Sequence, residues 1–377
     1  MICLDRIVMR EIRLPLKEPF RISSGVMTHR RIALLELHDT SGASVWSECV
    51  ADDLPNYSPE TIDTCWIAIE QWIAPRVLRR DFAGARDVHA VLERDFRGHN
   101  MAKAAVEMGL WGLEATTRGL ALARLIGGVR EAIDVGISLG IQQSPDALVS
   151  RAGAALAEGY RKVKIKIGPG KDVEYVGAAR AALGPDAPLM ADANNAYSLD
   201  DADHLARLDE FALMMIEQPL AWDDLVRHAE LQRRLETPLC LDESITSIDR
   251  ARDMVTLGAG KIVNIKPGRV GGFSPSIAIH DFCEASGVPV WCGGMLESGV
   301  GRAYNVALAS LPNFSLPGDL SPSKRYWEED VVTPEWAMDK DGMVTVPRDA
   351  LGLGVTVNRD RVEKLTVRRE ELRAMGR

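Results

Sequence analysis

The chain has 377 residues, of which 46% are hydrophobic and 26% are charged, and this composition is typical of a globular protein rather than a disordered or fibrous one. The length exceeds that of a single small domain, so we expect one large fold with a smaller companion. The formal net charge of −9 argues against a general affinity for nucleic acid or anionic membrane surfaces.

The N-terminal segment and the cysteines predict a cytoplasmic protein. The segment MICLDRIVMREIRL carries charges where a signal peptide has an apolar core. No stretch of the sequence approaches the roughly 18 apolar residues that a membrane span requires. The six cysteines include no CxxC pair, which indicates reduced thiols rather than a disulfide framework.

Residues 1–130 are predicted to form a small α+β domain. Two segments, Ile7–Leu14 and Ile32–Leu37, have the composition of strands, with a polar stretch at 21–31 between them. Helical patterns follow at Pro59–Leu78, Asp87–Phe96 and Met101–Leu125.

Residues 131–320 alternate short apolar runs with helical stretches, as in a parallel βα fold. The predicted strands are Val135–Leu139, Lys162–Ile167, Pro188–Asp192, Leu213–Glu217, Pro238–Asp242, Ile262–Lys266, Pro289–Cys292 and Phe314–Pro317. Eight parallel strands close a (β/α) barrel. The rival is an open doubly wound sheet, but no GxGxxG motif follows the first strand.

Residues 321–377 have a different pattern, and we expect them to pack back on the N-terminal domain. Two strand-like runs, Met343–Val346 and Gly354–Val357, precede a charged end at Arg359–Arg377. The charged end is predicted to form a solvated helix.

Five polar residues end successive apolar runs of the predicted barrel: Lys166, Asp192, Glu217, Asp242 and Lys266. Their separations of 26, 25, 25 and 24 residues correspond to one βα unit each time, so we expect them at one height on the catalytic face. The two lysines then lie on strands two and six, across the barrel from each other.

Three carboxylates between two lysines suit one kind of chemistry. Carboxylate oxygens with open positions are the ligands that Mg²⁺ prefers. A bound cation can stabilise the dianion that forms when a proton leaves the carbon beside a carboxylate, and a lysine with a lowered pKa can take that proton. Lys164 faces the same side as Lys166 and is expected to lower its pKa. Arg269 is likewise predicted to lower the pKa of Lys266, and it is also a candidate substrate-binding residue.

Each of these signals has a simpler interpretation when taken alone. A single Asp at a strand end is more often a helix N-cap than a metal ligand, and the lysine-rich strand could be a solvated one. Glu217 is harder to explain away, because a charge after five apolar residues has to be paired or bound. The prediction therefore rests on the set of five at regular spacing.

Longer motifs extend through the chain: PFR at 19–21, WSECV at 46–50, GHNMAKAAVEM at 98–108, WCGGMLESGVGRA at 291–303 and ALASLPNFSLPGDLSPS at 307–323. With KxK at 164–166, DAN at 192–194, EQP at 217–219, DES at 242–244 and NIKPGRVGG at 264–272, they resemble the o-succinylbenzoate synthase / N-succinylamino acid racemase family. This family lies in the muconate-lactonizing subgroup of the enolase superfamily. The resemblance implies an α/β fold, a modified TIM barrel whose N-terminal α+β capping domain is completed by the C-terminal tail.

The resemblance also implies roles for individual residues. The three carboxylates correspond to ligands of Mg²⁺, for which Mn²⁺ or another divalent cation can substitute, and Lys166 and Lys266 correspond to the acid/base pair. Lys164 corresponds to the residue that contacts the substrate carboxylate, and Asn194 to a group near the metal. The implied pocket and capping-loop residues are Ser138, Gly294, Met295, Leu296, Phe20 and Tyr57.

The implied activity is that of o-succinylbenzoate synthase, which dehydrates 2-succinyl-6-hydroxy-2,4-cyclohexadiene-1-carboxylate in menaquinone synthesis. The close alternative is racemisation of N-succinylamino acids, in which both lysines move protons. A dipeptide epimerase and a muconate cycloisomerase fit the last third of the chain less well. A non-catalytic binding protein on an inherited barrel would be expected to have lost at least one of the five residues. A small carboxylate substrate and a homo-oligomer are expected.

One segment departs from the family pattern. Residues Ala51–Asn56 are acidic, ADDLPN, in a loop that contributes to specificity in this family. The departure leaves open which amino-acid side chain the pocket accepts.

Overall fold

The computed structural model describes residues 1–22 and 25–374, without the side chains of residues 20–26. In this part of the chain the strands are β1 (Ile2–Ile22), β2 (Gly25–Asp39), β3 (Ser44–Cys49), β4 (Asp81–Phe82), β5 (Ala132–Asp134), β6 (Gly136–Leu139), β7 (Lys162–Lys166), β8 (Leu189–Asp192), β9 (Ile216–Glu217), β10 (Leu239–Leu241), β11 (Ile262–Ile265), β12 (Val290–Cys292), β13 (Val332–Thr333), β14 (Met343–Thr345), β15 (Thr356–Val357) and β16 (Thr366–Arg373).

The α-helices of the described residues are α1 (Ile62–Ala68), α2 (Ala74–Val77), α3 (Arg86–Glu93), α4 (Asn100–Thr117), α5 (Leu122–Leu125), α6 (Pro145–Ala157), α7 (Val173–Leu183), α8 (Ala202–Leu205), α9 (Leu225–Gln232), α10 (Ile248–Leu257), α11 (Pro267–Val270), α12 (Phe273–Ala285), α13 (Gly299–Ala309) and α14 (Arg359–Leu365). A π-helical turn at Ile69–Ile73 joins α1 to α2. None of the described helices is long and apolar enough to cross a membrane.

The N-terminal domain is built on an antiparallel sheet in the order β16-β1-β2-β3, with β4 paired to β1. The prediction that residues 21–31 separate two short strands is wrong. Strands β1 and β2 continue as a long hairpin, with Phe20 opposite Met27 and Ile22 opposite Gly25. Backbone hydrogen bonds hold such a ladder without an apolar face, so the polar composition of the segment did not reveal it.

The C-terminal end is a helix only as far as Leu365, and the predicted helix beyond it is wrong. Strand β16 follows and pairs antiparallel with β1, from Arg6 opposite Arg373 to Ile12 opposite Thr366. The strand buries Leu372, while its charged residues lie at the sheet edge, where an ion pair joins Arg373 to Asp5 at 3.1 Å. Part of the predicted helix, residues 375–377, lies outside the described residues.

The central domain has the predicted parallel sheet, in the order β12-β11-β10-β9-β8-β7-β6. Its eighth segment, predicted as the strand Phe314–Pro317, is not a regular strand. It makes single bridges, Phe314 to Val290 and Gly318 to Val135, and these join it to both ends of the seven-stranded sheet. Prolines 312 and 317 lack the N–H groups that a ladder needs. The barrel class is therefore confirmed, with a seam of isolated bridges in place of the eighth strand.

Two buried carboxylates of the N-terminal domain bind the beginnings of barrel helices. The N–H groups at a helix start have no partner within the helix. Glu107 of α4 accepts from the N–H groups of Phe273 at 2.7 Å and Ser274 at 2.9 Å, at the start of α12. Glu48 of β3 accepts from the N–H groups of Ser298 at 3.1 Å and Gly301 at 3.0 Å, at the start of α13. These hydrogen bonds thus fix one domain on the other.

Replacing Glu107 by alanine is expected to lower the free energy of unfolding by about 2–4 kcal/mol, because it leaves buried N–H groups of α12 without acceptors. Denaturant unfolding followed by circular dichroism measures the change. The matched control is Glu284→Ala on the exposed face of the same helix, for which we expect a change of less than about 0.5 kcal/mol. Equal losses in the two variants would contradict a special role for Glu107.

Candidate active site

The strand register brings the five polar residues to one height. Lys166, Asp192 and Glu217 lie side by side on β7, β8 and β9. The same row continues to Cys240 on β10 and Ile262 on β11, so Asp242 and Lys266 lie two and four residues further along their strands. The offset therefore reaches four residues over the four strand-to-strand steps from β7 to β11. An eight-stranded barrel is staggered by about one residue per strand, so this offset places the five residues at one height.

The lysines of β7 point into the barrel at three levels. Lys162, Lys164 and Lys166 alternate with apolar residues, and their side chains therefore share one face. The exposed fraction of the side chain rises along the strand, from 0% at Lys162 to 4% at Lys164 and 12% at Lys166. The lysine predicted to be the base is thus the most accessible of the three.

Lys164 lies between two of the predicted metal ligands. Its Nζ is 3.0 Å from Asp192 Oδ2 and 2.9 Å from Glu217 Oε2. Although burial opposes ionisation, the ammonium groups of Lys164 and Lys166 hold the pKa of Asp192 well below its usual range. The environment of Glu217 differs: burial and the charge of Asp192 raise its pKa to about 8.

Asp242 is held by different partners. Lys266 Nζ lies 2.7 Å from its Oδ2, Arg269 pairs with its Oδ1, and the Tyr57 hydroxyl donates to Oδ1 at 2.9 Å. Burial disfavours the charged form of Lys266, but the Asp242 carboxylate outweighs it and raises the pKa of this lysine. The expectation that Arg269 lowers the pKa of Lys266 is wrong for this arrangement, because the intervening carboxylate dominates.

Lys166 contacts Asp192 Oδ2 at 2.6 Å and donates to Asn194 Oδ1. Asn194 has a φ of 41° and its neighbour Asn195 a φ of 64°, in the left-handed region that costs energy for residues other than glycine. The turn brings the Asn194 N–H to Asp192 Oδ1 at 3.0 Å. The strained turn thus positions both the carboxylate and the amide against Lys166.

The donor set fits a hard divalent cation. Asp192, Glu217 and Asp242 are at most 1% exposed, and anionic carboxylates are costly in the interior unless a cation compensates them. The buried oxygens Glu243 Oε2 and Asn195 Oδ1 have no hydrogen-bond partner, so the same region holds unused oxygen ligands. In the structure itself the chain's own ammonium groups contact the carboxylates, with Asp192 and Glu217 sharing Lys164 and Asp242 contacting Lys266.

Two glycines leave room for the buried lysines. A Cβ on Gly136 would lie 2.7 Å from Cε of Lys162, and one on Gly293 would lie 2.5 Å from Cε of Lys266. Such distances are too short for carbon atoms in contact. A larger residue at Gly136 would therefore displace Lys162, and one at Gly293 would displace Lys266 or Asn264.

Some of the predicted pocket residues contact this centre directly, and others lie on the strands and loops beside it. Ser138 is buried opposite Lys164 in the register, and its hydroxyl has no partner. Gly294, Met295 and Leu296 follow β12, with Leu296 in a left-handed conformation at φ 56°. Tyr57 contacts Asp242, and its ring centroid is 4.5 Å from Lys266 Nζ, so this capping-loop residue reaches the centre. The side chain of the predicted Phe20 lies outside the described residues.

Two aspartates of the acidic loop 51–56 lie near arginines of the N-terminal sheet. Asp52 accepts from Arg30 Nη1 at 2.6 Å, and Asp53 lies 4.0 Å from Arg31. The Arg30 side chain is only 1% exposed and also donates to the Val50 carbonyl. Pairing with the buried Arg30 gives Asp52 a structural role that the sequence alone did not reveal.

Several residues of the centre were not predicted. Asn264 donates to Glu217 Oε1 at 2.8 Å, and the side-chain oxygen of Gln218 accepts from the N–H group of Asp242 at 3.0 Å. Asp319 pairs with Lys164 at 2.9 Å. Asn264 could have been found, since it precedes Lys266 by two residues and so faces the same side. Asp319 follows the irregular eighth segment. Side chains do not alternate regularly between two faces there, so the sequence does not show which way Asp319 points.

A separate group of possible metal ligands, His280, Asp281 and Glu284, lies on α12. Both imidazole nitrogens of His280 have partners: Nδ1 contacts Asp281 at 2.8 Å, and Nε2 accepts from the N–H group of Asn313 at 2.9 Å. The group is therefore a surface hydrogen-bond cluster rather than an open ligand set.

Comparisons with known proteins indicate enolase-superfamily relatives for both the N-terminal and the C-terminal part of the chain. The family model described as "Enolase C-terminal domain-like" matches residues 147–361, and "Mandelate racemase / muconate lactonizing enzyme, N-terminal domain" matches residues 5–127. An o-succinylbenzoate synthase of Geobacillus kaustophilus is 47% identical over 363 residues, 96% of each protein. An N-succinylamino acid racemase of Thermus thermophilus is 47% identical over 360 residues, 95% of this chain and 96% of the relative. The crystal structure of an enolase-superfamily member from Listeria innocua has a TM-score of 0.95 at 37% identity, covering 99% of this chain and 100% of its own.

Proposed function

This chain belongs to the mandelate racemase / muconate lactonizing enzyme family of the enolase superfamily, and from that premise we propose that it is an o-succinylbenzoate synthase. The proposal rests on one arrangement: ammonium groups from opposite strands of a barrel converge on three buried carboxylates. Three of the relatives named for this activity are 45–47% identical to the chain. The substrate is a small carboxylate.

Lys166 acts as the base in this proposal. In its neutral form it takes the proton from the carbon beside the substrate carboxylate, and the electrons of the broken C–H bond pass into an enediolate. Hydroxide then leaves from the neighbouring carbon and, with the abstracted proton, accounts for the water eliminated. Asn194 and Asp192 hold the Lys166 amine in place, which is the orientation that efficient proton transfer needs.

The charge of the enediolate has to be balanced. Asp192, Glu217 and Asp242 would hold Mg²⁺ or Mn²⁺, and the cation would supply the positive charge that stabilises the enediolate. Lys164, beside two of these carboxylates, binds the substrate carboxylate. The ammonium group of Lys266 lies on the opposite strand and steadies the charge that develops there. Tyr57 covers this side of the site and excludes water.

N-succinylamino acid racemase is the second candidate, and the contacts of Asp242 favour it specifically. Lys266 and Arg269 share this carboxylate, so Arg269 can keep it neutralised while Lys266 gives up its proton. In racemisation Lys166 takes the α-proton from one face, and the Lys266 ammonium returns a proton to the other. Both activities share the first step, and one enzyme can carry out both.

We propose a homo-oligomer that acts in the cytoplasm, with the capping domain at residues 1–130, the barrel at 131–320 and the tail at 321–377.

A side-by-side assay tests which activity dominates. We expect turnover of the synthase substrate and slower racemisation of N-succinylamino acids, measured by the absorbance of the aromatic product and by polarimetry on both enantiomers. The paired aspartates of the 51–56 loop lead us to expect no preference for basic side chains. Racemisation with no dehydration would replace the first proposal by the second, and the absence of both would refute the proposed function.

Chelation tests the metal assignment. Removal of divalent ions with EDTA is expected to abolish activity, and Mg²⁺ is expected to restore it and to raise the melting temperature, because a ligand that binds only the folded state stabilises it. The Glu217→Gln variant should lose both responses, whereas the exposed control Glu210→Gln should keep both. Full activity after exhaustive chelation would show that the three carboxylates serve another purpose.

Exchange of the substrate α-proton in D₂O separates the two lysines. Lys166→Ala is expected to reduce exchange about 10³-fold or more, in the range for loss of a positioned base. With one enantiomer of an N-succinylamino acid, Lys266→Ala should retain exchange while losing inversion. Lys261→Ala, an exposed lysine on the loop before β11, is the control. Exchange at the wild-type rate in Lys166→Ala would assign the base to another residue.

A further inference from the structure

We propose that Asp319 is a positioning residue, which holds the Lys164 ammonium in place to receive the substrate carboxylate, and that buried Lys162 serves to balance the charge of Asp319. The proposal rests on the proposed function, since it assigns a second residue to the carboxylate-binding step. Asp319 follows the seam that closes the barrel between β12 and β6, and it is buried.

The two carboxylate oxygens of Asp319 contact different lysines of β7. Oδ2 lies 2.9 Å from Lys164 Nζ, and Oδ1 lies 3.2 Å from Lys162 Nζ. The Lys162 ammonium also lies 3.4 Å from the centroid of the Trp291 ring, a cation–π contact that stabilises a buried charge. Asp319 therefore bridges the barrel floor, at Lys162, to the level of the active centre.

Lys164 consequently has carboxylates on two sides. Asp192 lies toward the rim, because it pairs in register with Lys166, whereas Asp319 lies toward the floor, because it also contacts Lys162. An ammonium group has three N–H donors, and Asp319 engages one that would otherwise turn to Asp192 or Glu217. By this contact Asp319 keeps Lys164 from binding the proposed metal ligands more tightly.

The backbone of Asp319 is fixed, so its carboxylate has a defined position. The Asp319 N–H group donates to the Cys292 carbonyl at 2.9 Å, and its carbonyl accepts from Arg302 Nη1 at 3.1 Å. A Cβ on Gly294 would lie 2.6 Å from that carbonyl oxygen, so the pocket loop and Asp319 are in close contact. The segment that closes the barrel therefore also sets the position of the substrate-binding lysine.

Three variants test the proposal: Asp319→Asn, Lys162→Met and the double variant. Asp319→Asn leaves Lys162 buried without a counter-ion, which can itself unfold the protein, whereas the double variant removes both charges together. We expect Asp319→Asn and the double variant to raise KM about 10- to 100-fold, the range for a misplaced binding group, with a smaller change in kcat. Lys162→Met alone should change KM by less than about threefold, since Asp319 still contacts Lys164.

A second readout does not depend on turnover. Titration calorimetry with Mg²⁺ alone is expected to show about tenfold weaker binding in the double variant than in Lys162→Met, because Lys164 then competes for Asp192 and Glu217. A double variant with the wild-type KM and Mg²⁺ affinity would overturn the proposal and leave Asp319 as a counter-ion for Lys162. An inactive wild-type chain would refute the proposed function instead, and the Mg²⁺ affinities alone would then decide the role of Asp319.

Discussion

The interior of the barrel has to accommodate several charges that water does not reach, and the rest of the structure depends on how those charges are paired. Isolated ions cannot remain charged in such a place. Cations and carboxylates therefore alternate through the site, from Lys162 to Asp319 to Lys164 and on to Asp192 and Lys166. Each of these charges thus has a partner of opposite sign within about 3 Å. Gly136 and Gly293 leave room for two of the lysines, and the turn at Asn194 and Asn195 brings Asn194 to Asp192 and Lys166.

The barrel and its five polar residues could be predicted from the sequence because they follow from periodicity. One βα unit places a residue on each successive strand, and the stagger of the barrel, which sequence spacing does not show, returns Asp242 and Lys266 to the common height. The eighth segment could not be predicted in the same way, because prolines 312 and 317 keep it from forming a regular strand. Strand β16 was missed because its pairing with β1 joins residues more than 350 positions apart, and charge alone suggested a solvated helix.

The contacts of individual charges were the least predictable part of the site. Asp52 and Asp53 occupy a loop next to the substrate-binding region in sequence, yet they pair with Arg30 and Arg31 of β2. Arg269 was expected to lower the pKa of Lys266, yet both side chains contact the same carboxylate, Asp242. A sequence shows which residues carry charge, but the partner of a buried charge is decided by tertiary packing over a few ångströms.

The edge pairing of β16 with β1 affects how the chain can reach its native state. Arg6 lies opposite Arg373, so the first and last described segments are neighbours in one sheet. During synthesis, β1 leaves the ribosome before the barrel does, but it gains its partner on this side only after β16 has been translated. The barrel, encoded between them, has by then been fully synthesised. Because β1 and β16 are neighbours in one sheet, a short linker could join the two strands, and the fold is a suitable scaffold for circular permutation.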